Sequence, residues 1–209
     1  MANGQKVRLS PATVKQYLVQ GDGRVTDQEI MLFMGLCKAQ QLNPFAKDCY
    51  LIKYGSQPAT MVTSIGALEK RASSFPEYDG MTSGLVILKE DGSIENREGA
   101  CYLKGREILL GGWARVYRKD RATPTFVSCS LEEYAQRKKD GSLNSNWSNK
   151  PAVMIRKCAK ACALREAFPA QNAGLYEASE VQQLTSNVEV VEPAMDAIEM
   201  MPDVSEISE

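Results

Sequence analysis

Three short clusters of basic side chains are the residues of this chain best suited to chemistry, and that chemistry is phosphate binding. They lie within residues 115–121, 137–139 and 150–160. Cations at intervals match the charges along a polynucleotide backbone, and a guanidinium group can hold a phosphate by two hydrogen bonds. A single cluster is a weak indication. Three clusters on consecutive elements of one sheet-and-helix unit can converge, and we therefore expect one positively charged groove.

Aromatic residues lie among these bases. Trp113 and Tyr117 accompany the first cluster, and Trp147 precedes the third. Exposed aromatic rings can stack on unpaired bases, which would add contacts that do not depend on charge. Trp113 and Tyr117 are equally suited to packing within a sheet. Trp147 stands in a polar loop, where it suits either stacking or anchoring of the loop.

A helix is predicted to carry the third cluster, from Pro151 to Phe168. Proline fits the first turn of a helix, and Ser148 or Asn149 just before it can cap. At about 100° per residue, five side chains share an apolar arc of roughly 120°. They are Met154, Ile155, Cys158, Ala161 and Cys162.

The basic residues of this helix divide between two positions. Arg156, Lys157 and Lys160 fall on the side away from the apolar arc, whereas Arg165 falls beside it. The pattern is typical of a solvated amphipathic helix. It also fits a helix that packs by one face and grips a polyanion with the other.

The two ends of the chain differ strongly in charge. The net charge of −1 combines +9 for residues 1–165, which hold all 25 Lys and Arg, with −10 for residues 166–209. A basic body can neutralise phosphates while an acidic tail repels or recruits other molecules. A plain domain with a solubilising tail has the same distribution. We expect a core domain over residues 1–185 and a flexible, disordered acidic tail over 186–209.

The composition argues against several classes of function. With no histidine in the chain, serine and cysteine nucleophile systems that need this residue are excluded. The six cysteines form no CxxC motif, so we expect reduced thiols in a cytoplasm, without a zinc site. No phosphate-loop motif, signal peptide or membrane-length apolar run is present. We expect no cofactor, no metal and no membrane partner.

Helices and a hairpin are predicted for the first third of the chain. Ser10-Pro11 favours a short helix over 11–20, and Thr26–Glu29 is a capping box that opens a second helix. A strand over 49–54 and its return over 59–63 form a hairpin. Ser64 can cap a helix that extends to about residue 74.

Strands and turns dominate the stretch from residue 79 to 130. Gly111-Gly112 interrupts one of these strands, which indicates a bulge or a close backbone approach. Ser130–Glu133 is a second capping box that opens a short helix expected to end at Arg137-Lys138-Lys139. A last small helix is expected at 176–184. The fold class predicted is α+β: a twisted antiparallel sheet with hairpins and helices packed on one side.

Several motifs resemble phage single-strand annealing proteins of the Redβ/RecT (Bet) type. The matching segments stand in the same order and span about residues 26–181. They are Leu42-Asn43-Pro44-Phe45 with Lys47 and Tyr50, Tyr78-Asp79-Gly80-Met81, Val116 through Arg121 with Pro124, Trp147 through Phe168, and Gly174-Leu175-Tyr176. The resemblance implies an ATP-independent recombinase that coats single-stranded DNA and pairs it with a complementary strand.

The resemblance also implies site residues and partners. Lys47, Lys119, Trp147, Arg156 and Arg165 match family positions at or near DNA, and Arg118 and Arg121 belong to the same motif as Lys119. Lys157 and Lys160 join them by location. The implied partners are single-stranded and annealed duplex DNA, further copies in a ring or helical filament, a partner exonuclease and the host single-strand binding protein.

The chain departs from the family pattern in two places. Some relatives have further basic residues where this chain has Ala152 and Val153. Relatives with an extra C-terminal domain use it to bind the exonuclease and the host protein, whereas only a short acidic tail stands here. Two alternatives stay open: a DNA-binding nuclease, and an accessory nucleic-acid-binding module without annealing activity.

Overall fold

The computed structural model describes residues 9–138, 140–172 and 174–176, and shows an α+β fold built on two sheets. The first sheet has three strands in the order β1-β2-β3, namely Val19–Gln20, Cys49–Ile52 and Thr60–Thr63. The second has the order β5-β4-β6-β7, from Ile94–Glu98, Tyr78–Leu88, Ile108–Arg118 and Thr125–Ser130. The predicted fold class is confirmed. The acidic tail lies outside the described residues.

Seven α-helical segments are present in the part of the chain that the structure describes. They are α1 Pro11–Thr13, α2 Asp27–Ala39, α3 Ile65–Ser73, α4 Leu131–Tyr134, α5 Ser145–Asn149, α6 Pro151–Ala167 and α7 Pro169–Asn172. α6 packs on β4, β6 and β7 of the second sheet. On its other side it packs against α3, so it is the layer that joins the two halves of the core.

Local signals explain the first sheet and the helices around it. The capping box at Thr26 forms as predicted, with Ile30, Phe33 and Cys37 as the buried face of α2. β2 and β3 pair as the predicted antiparallel hairpin, and Ser64 caps α3 by accepting a hydrogen bond from the Ala67 N–H. These elements follow from residues adjacent in sequence, which is why the pattern predicted them.

The N-terminal segment differs from the predicted helix over 11–20. After α1 the backbone continues as a π-helix, Val14–Leu18, and then extends into β1, which pairs in parallel with β2. Gly21 has a φ of +98°, and a side chain there would meet the carbonyl of Lys53. This close approach holds the segment against β2. The parallel pair is the exception among otherwise antiparallel strand pairs of the described residues.

The sequence left two alternatives for Gly111-Gly112, a bulge or a close backbone approach, and the structure shows both. The β4–β6 register shifts by one residue between Val86↔Gly111 and Ile87↔Leu109, so a bulge is present. A Cβ built on Gly112 would lie 2.7 Å from the Ile155 carbonyl oxygen, so the backbones of β6 and α6 meet directly. The predicted bulge and the predicted close approach are both confirmed.

Two helix predictions near α6 are wrong, and a third lies almost entirely outside the described residues. Ser148 and Asn149 lie inside α5, so α6 begins at Pro151 without a side-chain cap. α4 forms, but Ser130 makes no capping hydrogen bond and the helix ends at Tyr134 instead of near residue 139. The helix predicted at 176–184 lies outside the described residues except for Tyr176, and α7 precedes it.

A half-buried ion pair ties α2 to the first sheet. The Lys53 ammonium donates to both carboxylate oxygens of Glu29, at 2.7 and 2.9 Å, and the backbone N–H groups of Thr26 and Ala59 donate to the same carboxylate. The Lys53 bond, followed by these amides, lowers the pKa of Glu29 to about 2. One side chain therefore joins the start of α2 to β2 and β3.

Substitution of Gly112 tests the contact between β6 and α6. Gly112→Ala should lower the free energy of unfolding by about 1–3 kcal/mol, because the new methyl group must push backbone apart from backbone. Gly35→Ala is the matched control, since nothing lies within 4 Å of a Cβ built there. In the middle of α2 it should raise stability by about 0.5–1 kcal/mol. Urea unfolding measures the free energy of unfolding of both variants. Equal stability of the two would contradict the close approach.

The pH dependence of stability tests the Glu29 pair. Because its folded-state pKa is lowered, the stabilisation is present above the ordinary pKa of 4.5 and is lost as the pH falls towards about 2. At neutral pH Glu29→Gln should cost on the order of 1–2 kcal/mol, after allowance for solvent screening. The difference in free energy of unfolding between parent and variant should shrink as the pH falls from about 5 to about 2.5, which is the window set by the two pKa values of Glu29. A constant difference would show that the charge of Glu29 does not stabilise the fold.

Candidate nucleic-acid interface

The turn between β6 and β7 exposes two of the predicted cations. Lys119 and Arg121 are exposed, and their backbones are fixed by hydrogen bonds from the Lys119 N–H to Glu77 O and from the Arg121 N–H to Arg118 O. A rigid backbone that carries mobile, hydrated cations can contact phosphates with little loss of backbone entropy. This turn is the most accessible part of the predicted site.

Arg118 holds the turn against α6. Its guanidinium forms an ion pair with Asp120 at 2.7 Å, donates to the Ala167 carbonyl and lies 4.6 Å from the centroid of the Phe168 ring. The Asp120 hydrogen bonds raise the pKa of Arg118, and Arg118 lowers the pKa of Asp120. Arg118 therefore positions the turn next to the C-terminal end of α6, with much of its donor capacity already used.

The three bases in the middle of α6 are half-buried, which differs from the open basic face that the helical period predicts. Arg156 donates to the Ser83 hydroxyl on β4 at 3.0 Å, and Lys160 forms an ion pair with Glu69 on α3. Lys157 is also half-buried. The reason is that α6 is covered by the second sheet on one side and by α3 on another. Its bases lie in the seams between these layers.

Arg165 and Lys47 lie beside the first sheet. The guanidinium of Arg165 lies 5.1 Å from the centroid of the Tyr176 ring, and Tyr176 O accepts a hydrogen bond from the Thr63 N–H of β3. Lys47 is exposed and precedes Asp48, whose carbonyl accepts from the next residue, Ser64. Asp48, next to Lys47, and Tyr176, next to Arg165, thus bond to two adjacent residues at the end of β3, Ser64 and Thr63.

Trp147 has no surface on which a base could stack. Its side chain is 0 % exposed, and Asn144 caps α5 by accepting a hydrogen bond from the backbone N–H of Trp147. Of the two interpretations left open by the sequence, the structure shows the anchor of the loop. Trp113 is 6 % exposed, so of its two interpretations, base stacking and packing within the sheet, the structure shows packing.

Apart from the buried Trp147, the eight predicted site residues, all basic, occupy three places. Arg118, Lys119 and Arg121 lie at the β6–β7 turn, Arg156, Lys157 and Lys160 along α6, and Lys47 with Arg165 beside β3. Arg118 joins the first place to the end of α6, whereas Arg156 and Arg165 are nine residues apart and so about half a turn apart around the helix. One groove holding all of them stays a prediction.

Tyr176 is a partner that the sequence did not assign. It was part of a matching motif, but no role followed from a tyrosine after Gly174-Leu175. The fold brings it under Arg165 through the α6–α7 turn, where Asn172 donates to the Leu164 carbonyl. No periodicity in the sequence could have indicated this contact.

Within residues 9–138, 140–172 and 174–176, no group of three or more Cys, Asp or Glu side chains is arranged to hold a metal ion. Among the same residues, no helix has both the length and the apolar character needed to cross a membrane.

The chain is similar to a protein family and to a protein of a bacterium. The model of the RecT family matches residues 5–193, a span that includes both sheets and every predicted site residue. An uncharacterized protein from Ureaplasma parvum serovar 3 is 29% identical over 175 residues, which cover 78% of this chain and 69% of that protein.

The exposed turn provides a direct test of phosphate contact. Lys119→Gln should weaken binding of single-stranded DNA and reduce the slope of log K against log salt concentration by about 0.7, the value for one phosphate on a single strand. Lys104→Gln is the matched control, because Lys104 is also exposed but precedes β6 at the opposite end from the turn. Binding titrations at several salt concentrations measure both. An unchanged slope for Lys119→Gln would remove this residue from the site.

Proposed function

Because the chain belongs to the RecT family, we propose that it binds single-stranded DNA and anneals it to a complementary strand in phage homologous recombination, without ATP. The observation that carries the proposal is the family match over residues 5–193. The exposed cations of the β6–β7 turn support it, because they present charge on a backbone already fixed by hydrogen bonds.

The proposed mechanism is physical and breaks no covalent bond. Lys119 and Arg121 hold phosphates of one strand at the turn, and Lys47 and Arg165 hold the strand beside the first sheet. Phosphate contacts fix the backbone and carry no sequence information, so the bases stay available to a second strand. Correct pairing then contributes about 1.4 kcal/mol per stacked step, which mismatched strands do not gain.

The half-buried bases have a supporting role in this proposal. Lys160 is paired with Glu69 and Arg156 is bonded to Ser83, so their charges are partly compensated inside the protein. They raise the potential along α6 and keep its position between the sheet and α3. Lys157 lies between them in sequence and is half-buried as well.

We further propose the setting in which this core acts. Residues 1–185 form the annealing core, which assembles with further copies into a ring or a helical filament along DNA in the cytoplasm of a host cell. A partner exonuclease supplies the single strand, and the host single-strand binding protein is displaced from it. Residues 186–209 form an acidic tail that annealing does not require.

Annealing of two complementary oligonucleotides tests the proposed function. The protein should accelerate duplex formation without ATP, and the acceleration should decline as salt rises, because the phosphate contacts release counterions. A truncated chain of residues 1–185 should retain this activity. Loss of annealing on truncation would assign the tail a role in pairing.

Two controls separate the alternatives. Incubation of the same strands with Mg²⁺ and no annealing partner should leave them intact, and cleavage would favour the nuclease. Binding of single strands without faster annealing would favour an accessory nucleic-acid-binding module.

A further inference from the structure

A cation and two aromatic rings are stacked together on the face of the second sheet that points away from α6. Arg115 on β6 is directly opposite Phe126 on β7. The guanidinium carbon of Arg115 lies 5.0 Å from the centroid of the Phe126 ring and 5.7 Å from that of Trp113. Side chains alternate between the faces of a strand, and Ala114 and Val116 on either side of Arg115 are fully buried towards α6. The stacked group therefore lies on the opposite, open face.

The outer part of this group is open to solvent. Phe126 is 44% exposed on β7, which is the edge strand of the sheet, and Arg115 is exposed as well. No carboxylate among the described residues forms an ion pair with Arg115, whereas Arg118 in the same strand is paired with Asp120. The flat side of an unpaired guanidinium and the face of a ring are both surfaces on which a base can stack.

The inner part of the group is rigid. Trp113 is 6 % exposed and lies across β4 at Gly84, where an added Cβ would meet the Arg97 carbonyl of β5 and would also come within 2.8 Å of the Trp113 Nε1 atom. Its ring centroid is 6.3 Å from that of Phe126. The absence of a side chain at Gly84 makes room for the indole, and the indole in turn supports Phe126 and Arg115. A preformed surface binds a ligand with less loss of side-chain entropy than a mobile one.

We propose that Arg115 and Phe126 form a stacking platform for an unpaired base of single-stranded DNA. The inference deepens the proposed function and rests on it. Arg115 and Phe126 lie in the same hairpin as Lys119 and Arg121, one residue pair before the pairing of β6 with β7 ends at Val116↔Thr125. A strand whose phosphates contact the turn can therefore place a neighbouring base on the platform.

Replacement of the Phe126 ring tests the platform. Phe126→Leu keeps an apolar side chain at an exposed position, so the fold is retained, but it removes the aromatic face. Affinity for a mixed-sequence single strand should fall by roughly five-fold or more, the lower end of the effect of one stacked base. Phe126→Tyr should restore parental affinity. Ile94→Ala is the matched control, because Ile94 is an exposed apolar side chain at the other edge of the sheet.

An abasic oligonucleotide of the same length separates stacking from phosphate contact. The parent and Phe126→Leu should bind it equally, and the salt dependence of both should be the same, since no charge is changed. Equal affinity of parent and Phe126→Leu for the normal strand would overturn the platform while leaving the proposed function in place. An equal loss on both strands would also overturn it. A parent protein that binds neither strand would remove the proposed function, and the platform with it.

Discussion

The direct contact between the backbones of β6 and α6, at Gly112 and Ile155, is the constraint on which the rest of the structure depends. No side chain fits between them. A helix held this close to a sheet must be lined with small residues, and α6 has alanines at five of its buried positions. Burial of α6 by the sheet on one side and by α3 on another then makes one core of two sheets that share no strand.

The same constraint decides what the basic residues can do. A charge carried into a seam between layers is costly unless it is paired or hydrogen-bonded. Arg156 and Lys160 meet this requirement through Ser83 and Glu69, so their first role is in the fold. Lys119 and Arg121 lie beyond the paired part of the sheet and are exposed, so water solvates their charges. Contact with DNA then costs them less, because no internal pair has to be broken.

The extent to which the sequence predicted these features follows from the range of each signal. The Thr26 capping box, the β2–β3 hairpin and the close approach at Gly112 depend on a few adjacent residues or on a side chain that is missing. Pairing of β1 with β2 depends on residues about thirty positions apart, so no local pattern contained it. The helical period separated an apolar side of α6 from a basic side. It could not show that two neighbouring elements, the second sheet and α3, cover more than one side of the helix. Trp147 was ambiguous for the same reason, because polar neighbours in sequence say little about burial in space.

The arginine–aromatic pairs suggest how a strand can be held and still be read. Arg118 over Phe168 is tied to Asp120 and to the end of α6, which makes it part of the scaffold. Arg115 over Phe126 has no such pair and faces solvent. A base stacked on that platform would be held by its flat face, so its Watson–Crick edge would remain in the plane and accessible to a second strand. Hydrogen bonds to the edge itself would compete with pairing. Stacking combined with phosphate contact is therefore the mode of binding best matched to annealing.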